Sequence, residues 1–151
     1  MKIVDVRSAI AAIPRRRPLV TSYGDSPHTV TAVVQAFTDE GITGIGQKVG
    51  PASDCGDSAE SVEANIDEYP RSAVVGEDPF DIERLFVVMH RALRGTYYPM
   101  TAVEYALWEI KGKALDVPVY QLLGGRCQPG TPLHAVICRI LWSEPGRSRP
   151  D

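Results

Sequence analysis

Residues 101–125, TAVEYALWEIKGKALDVPVYQLLGG, constrain the fold more than any other stretch of the chain. Val103, Leu107, Ile110 and Ala114 recur at the spacing of one helix face, which predicts an amphipathic helix buried along that stripe. Thr101 and Glu104 have the T-x-x-E spacing of a capping box, and Met100 and Tyr105 stand where a hydrophobic staple would close the first turn. Gly112 lies inside the helical pattern, where glycine costs about 1 kcal/mol relative to alanine, so close packing against another element is expected there. Pro118 then starts a short helix, and Gly124-Gly125 ends it.

Upstream the pattern is β first and α second. Residues 2–13 are β-rich, with Val4, Val6, Ser8 and Ile10 on one side. The prolines at 14 and 18 are expected to break this strand, leaving a loop over residues 14–27. Residues 28–38 alternate with Val30, Ala32, Val34 and Ala36 on one face and Thr29, Thr31, Val33, Gln35 and Phe37 on the other. Gly41 supplies a hairpin turn, and a third strand over residues 42–49 carries Gly44 and Gly46. Three successive strands of this kind imply an antiparallel meander. Residues 49–57 read as a loop. A helix is expected to start near Ser58, with Val62, Ile66 and Tyr69 on one face. Another is expected behind an Asp78 cap and Pro79, with the stripe Ile82, Leu85, Phe86, Met89 and Leu93. Residues 133–140 have the β-branched, apolar composition of a buried strand. Residues 141–151 have no period and read as a disordered tail.

The helical segment 101–125 resembles the signature that closes the N-terminal domain in the mandelate racemase/muconate lactonizing branch of the enolase superfamily. Asp78-Pro79-Phe80 and the turn and strand from Gly41 to Gln47 resemble it too. Glu109 stands where an Asp is usual, and Gln47 where Glu is common. The resemblance implies an α+β fold: a three-stranded antiparallel meander followed by a helical bundle, plus the first strand of a (β/α)8 barrel. It divides the chain into a capping domain at 1–125, a linker and first barrel-like strand at 126–140, and a tail at 141–151.

The resemblance also implies a chemistry. Family enzymes abstract a proton next to a carboxylate, with Mg2+ and cationic groups stabilising the enediolate, and so racemise, cycloisomerise or dehydrate acid substrates. The metal ligands and acid–base residues lie on barrel strands. A full barrel needs about 200 residues or more, and 11 residues follow Ile140. No catalytic or metal-binding residue is therefore expected among these residues. A cofactor is expected only as the Mg2+ of a full-length family enzyme. Lys111 and Lys113 match a Lys-x-Lys pattern, but residues two apart on a helix point about 200° apart and cannot converge; they read as a solvated face.

What this domain can offer is two segments over the barrel mouth, residues 14–27 and 49–57. The first carries Arg15, Arg16, Arg17 and Tyr23, the candidate substrate-binding residues, with His28 at its exit. A cationic loop suits an acidic or polyhydroxylated substrate, although exposed arginines also serve solubility alone. Tyr97 and Tyr98 are expected to cover helix ends, and Trp108 to be half-buried packing. The expected partner is a small carboxylate, bound once a barrel is supplied, with room for a homo-oligomer. The net charge of −3 argues against nucleic acid or a membrane surface. An N-terminus without a signal-peptide pattern and three cysteines (Cys55, Cys127 and Cys138) without a CxxC pair suggest a cytoplasmic setting. Three origins stay open on the sequence: a truncated or frame-shifted capping domain, a stand-alone module that pairs with a related full-length subunit, or an unrelated chemistry using Cys55 and His28.

Overall fold

In the computed structural model, which describes residues 1–21, 24–49, 56–126, 128 and 130, the first three elements are antiparallel strands. They are β1 (Ile3–Thr21), β2 (Gly24–Thr38) and β3 (Thr43–Val49), in the order β1-β2-β3. The β2–β3 turn forms at the expected residues. Gly41 takes φ +79°, and the Thr38 N–H donates to the Ile42 carbonyl at 3.0 Å.

The first ribbon departs from expectation. Pro14 and Pro18 lie within β1, so residues 14–27 are not a loop. Among the described residues β1 is an edge strand, where a proline's missing N–H can face away from the ladder. The register absorbs the rest: between Pro14, opposite His28, and Leu19, opposite Ser26, β1 carries three more residues than β2. A second irregularity lies between Ile3 and Asp5. It turns Val4 outward (52% exposed) while Ile3 and Val6 are buried, so Val4 does not share the face of Val6 and Ser8.

Among the described residues five helices follow: α1 (Ala59–Glu68), α2 (Pro70–Val74), α3 (Ile82–Ala92), α4 (Tyr98–Ala114) and α5 (Val119–Leu122). α1 starts near Ser58, as expected, and Ser58 caps it, its hydroxyl accepting the Ser61 N–H at 3.1 Å. α3 does not begin on Asp78. That carboxylate accepts the Phe80 N–H at 2.9 Å in the preceding turn, and the helix starts behind Asp81. Asp81 is itself drawn to Arg84, at 3.1 Å, instead of to the backbone.

α4 likewise starts ahead of Thr101, behind Tyr97, because Pro99 lies in its first turn with a preset φ and no N–H to satisfy. The Thr101 hydroxyl therefore donates to the Tyr97 carbonyl at 2.9 Å, and Glu104 accepts the Trp108 indole N–H at 3.2 Å. There is no capping box. Nor is there a staple: Met100 is buried, and Tyr105 is 54% exposed. At the other end of the chain's helices, Gly124 and Gly125 both take positive φ, and the Gly125 N–H donates to the Tyr120 carbonyl at 2.9 Å.

The core lies between the sheet and the helices. Ile3, Val6, Val34 and Ala36 meet Val62, Ile66, Leu85, Met89, Val103, Leu107 and Ile110, all buried. Its tightest seam joins β3 to α4. A Cβ added to Gly44 would collide with the Ala106 carbonyl, and one added to Gly46 with the Ala102 carbonyl. Gly112 also proves to be a close contact, since its Cβ would stand 2.9 Å from the Val117 carbonyl oxygen. The strand read at residues 133–140 and the tail at 141–151 lie outside the described residues.

Two outcomes test this packing. Gly46→Ala should cost about 3 kcal/mol or more, because the obstacle is backbone that cannot rotate away; urea denaturation measures it, and a loss below 1 kcal/mol would contradict the seam. Ser58→Ala should cost about 1 kcal/mol, whereas Thr101→Ala should cost less than about 0.5 kcal/mol, since its hydroxyl only back-bonds to a helical carbonyl. Thermal unfolding of the two variants separates them.

Candidate functional site

β2 and β3 pair from Phe37↔Thr43 to Thr31↔Val49. Beyond Thr31 the ribbon of β1 and β2 continues alone to Thr21 and Gly24. β3 therefore ends, at Val49, on the side of the sheet from which this ribbon extends. The end of β3 and the ribbon that carries Arg15, Arg16 and Arg17 thus lie at one end of the sheet, as an outcome of strand lengths and register.

The structure places Arg15, Arg16 and Arg17 in the irregular part of β1, not on a loop. Arg16 and Arg17 are exposed. Arg15 is half-buried, and its Nε is buried with no hydrogen-bond partner among the described residues. His28 stands opposite Pro14, exposed, its carbonyl accepting the Ser26 hydroxyl at 2.9 Å. Tyr23 and Cys55 lie outside the described residues, as do Cys127 and Cys138.

The polar cluster at the foot of this end centres on Lys48, which the sequence reading passed over. Lys48 is 5% exposed. Its ammonium lies 4.4 Å from the centre of the Tyr98 ring and donates to the Asp57 carbonyl at 3.3 Å. The Asp57 carboxylate accepts hydrogen bonds from the Thr96 hydroxyl and, at 3.4 Å, the Ser61 hydroxyl. The Thr31 hydroxyl donates to the Lys48 carbonyl. One cation thus ties together the end of β3, the approach to α1 and the start of α4. A signal for it existed: Lys48 continues the parity of Gly44 and Gly46, so it faces the helices.

Other candidates resolve as packing. Lys111 lies 5.5 Å from the Phe80 ring centre and 5.6 Å from that of Trp108, while Lys113 donates to the Thr43 carbonyl at 2.7 Å. They diverge, as the helical geometry requires, but both are engaged and neither belongs to a merely solvated face. Tyr98 covers Lys48 as well as the helix start, and exposed Tyr97 meets His90 edge-on, its hydroxyl 3.3 Å from Nε2. Trp108 is half-buried. The shifted titrations lie elsewhere. Asp5 is held below the usual carboxylate range by its hydrogen bond from Arg7, with Arg71 adding to the effect, and Tyr69 is raised by its neighbour Glu68.

Among the described residues no three His, Cys, Asp or Glu side chains come together to hold a metal ion. Among them, too, no helix is long and apolar enough to cross a membrane.

A three-stranded antiparallel sheet followed by helices packed against it is the fold that the sequence resemblance implies. The chain belongs to the mandelate racemase/muconate lactonizing enzyme family: the model of that family's N-terminal domain matches residues 3–124. It is 34% identical to N-succinyl-L-Arg/Lys racemase of Bacillus cereus over 137 residues, 91% of this chain and 37% of that protein. The crystal structure of that racemase superposes with a TM-score of 0.81 over 85% of this chain and 35% of that one. D-Galactonate dehydratase of Xanthomonas campestris is 45% identical over 111 residues, 70% of this chain and 27% of that protein. Dipeptide epimerase of Enterococcus faecalis, solved with Mg and a dipeptide, is 26% identical with a TM-score of 0.77, over 83% of this chain and 35% of that one. The chain thus spans about a third of the length of the relatives it matches.

Replacing Lys48 by the near-isosteric Met should cost at least about 1 kcal/mol, from the lost ring contact and the carbonyl left without its donor. Urea denaturation of the Lys48→Met chain measures this, and a neutral result would show that the cation ties nothing.

Proposed function

We propose that this chain serves as the capping domain of an enzyme that abstracts a proton next to a carboxylate. The observation that carries this reading is that β3 ends, at Val49, at the same end of the sheet as the ribbon bearing Arg15, Arg16 and Arg17, on a chain whose relatives include a racemase and a dehydratase. In this reading the domain's part is to shut water out and to contact the distal end of the substrate. Mg2+ and the acid–base residues would come from barrel strands of such an enzyme, which keeps these residues free of catalytic roles. The setting that fits is cytoplasmic.

Arg15 is the residue we assign to an anionic substrate group. A guanidinium that is half-buried with an unfilled Nε–H has already lost part of its hydration, so a carboxylate there replaces water at low cost. Arg16 and Arg17 are exposed and add field more than contact. The substrate class is a small carboxylate with a second anionic or polyhydroxylated part.

Two results are expected. The 151-residue chain alone should show no Mg2+-dependent incorporation of solvent deuterium next to the carboxylate of N-succinyl amino acids or sugar acids; incorporation above background overturns the capping role. In an enzyme carrying this domain, Arg15→Ala should raise KM roughly tenfold with a smaller change in kcat, the signature of lost uniform binding. An unchanged KM removes Arg15 from the site while leaving the domain assignment intact.

A further inference from the structure

Among the described residues β3 is an outer strand, paired with β2 on one side. In an antiparallel ladder alternate residues turn their N–H and C=O toward the partner, and the residues between turn theirs away. An edge of this kind is a template on which another chain can add a strand. At β3 two of these outward groups are already taken. The Glu109 carboxylate accepts the Ile45 N–H, and the Lys113 ammonium donates to the Thr43 carbonyl at 2.7 Å. The two side chains are themselves joined at 3.1 Å, one helical turn apart.

The match has a geometric cause. α4 runs alongside β3 in the opposite sense, with Gly44 on Ala106 and Gly46 on Ala102. Four residues of helix advance about 6 Å, and two residues of strand advance about 6.8 Å. Side chains four apart on α4 therefore meet backbone groups two apart on β3, and the same interval that seats the glycines brings Glu109 to residue 45 and Lys113 to residue 43. A carboxylate meets the donor and an ammonium meets the acceptor, the polarity a fourth strand would offer.

We propose that Glu109 and Lys113 act as a side-chain substitute for a fourth strand, closing the β3 edge against pairing with a second copy of the chain. The occupant they exclude is another β3, since an antiparallel edge is self-complementary across a two-fold axis. Ile45, 48% exposed on the opposite face from the helices, would gain a neighbour in such a pair. This role is independent of Arg15 and of any catalysis, so the two proposals fail separately.

The test uses the full chain. In Glu109→Ala the Ile45 amide, followed by hydrogen exchange at low protein concentration, should exchange roughly tenfold faster than in the parent, the size of one lost charge-assisted hydrogen bond at a partly exposed site. Glu109→Gln keeps an oxygen acceptor and should stay close to the parent rate. The double variant Glu109→Ala/Lys113→Ala should gain mass with concentration more steeply than the parent in sedimentation velocity, and Ile45 should regain protection as it does. A folded double variant that matches the parent in mass and in Ile45 exchange overturns the proposal. So does association that leaves Ile45 unprotected, which places the contact elsewhere. If the double variant does not fold, Glu109→Ala decides alone: an Ile45 rate unchanged from the parent rules the clamp out.

Discussion

The approach of α4 to β3 is the contact on which the rest of the structure depends. Gly44 and Gly46 remove two side chains from the inner face of the strand, and Ala102 and Ala106 keep the facing side of the helix short. Backbone then lies on backbone. Each strand glycine costs roughly 0.5–1 kcal/mol in chain entropy relative to alanine. Each large side chain brought fully into the core returns about 1.5–3 kcal/mol, and α4 brings Met100, Val103, Leu107 and Ile110. The exchange favours the close seam, and it sets the height and direction of the helix for everything that follows.

Position along that seam explains the polar features. At one end α4 starts beside the last residues of β3, so Tyr98 covers Lys48 and Thr96 reaches Asp57. A ring face and a carbonyl receive this nearly buried ammonium. At the other end Glu109 and Lys113 meet the edge of β3. The W-E-I-K-G-K run of the helix is therefore a set of contacts. Trp108 bonds back to Glu104, Glu109 and Lys113 reach the strand, Lys111 reaches Phe80, and Gly112 lets the Val117 carbonyl approach.

Much of this was legible in the residues. The helical stripe of α4, the helix start near Ser58, the hairpin at Gly41 and the close packing at Gly112 follow from local periodicity and backbone rules, and all appear. The misreadings share one cause, which is that a local signal was outranked by a neighbour. Pro14 and Pro18 signal a strand break, but an edge position and extra residues on β1 absorb them. Thr101 and Glu104 spell a capping box, but Pro99 starts the helix sooner. Asp78 spells a cap, but its carboxylate serves a turn. In the candidate site, Arg15, Arg16 and Arg17 sit in the irregular part of a strand and not on a loop. Lys48 was passed over because a lysine on a strand reads as solvent-facing until its parity with the two glycines is counted.

The sequence by itself determined the element order, the meander, the helical faces and the family, because each rests on residues close together in the chain whose preferences agree. The tertiary structure decided which end of the sheet joins the ribbon to the end of β3, which lysine is buried, and which side chains meet the outer edge of β3. Those depend on register between strands and on the seating of one helix on two glycines; even the parity that sets Lys48 beside Gly44 and Gly46 marks a buried face only once α4 lies on it.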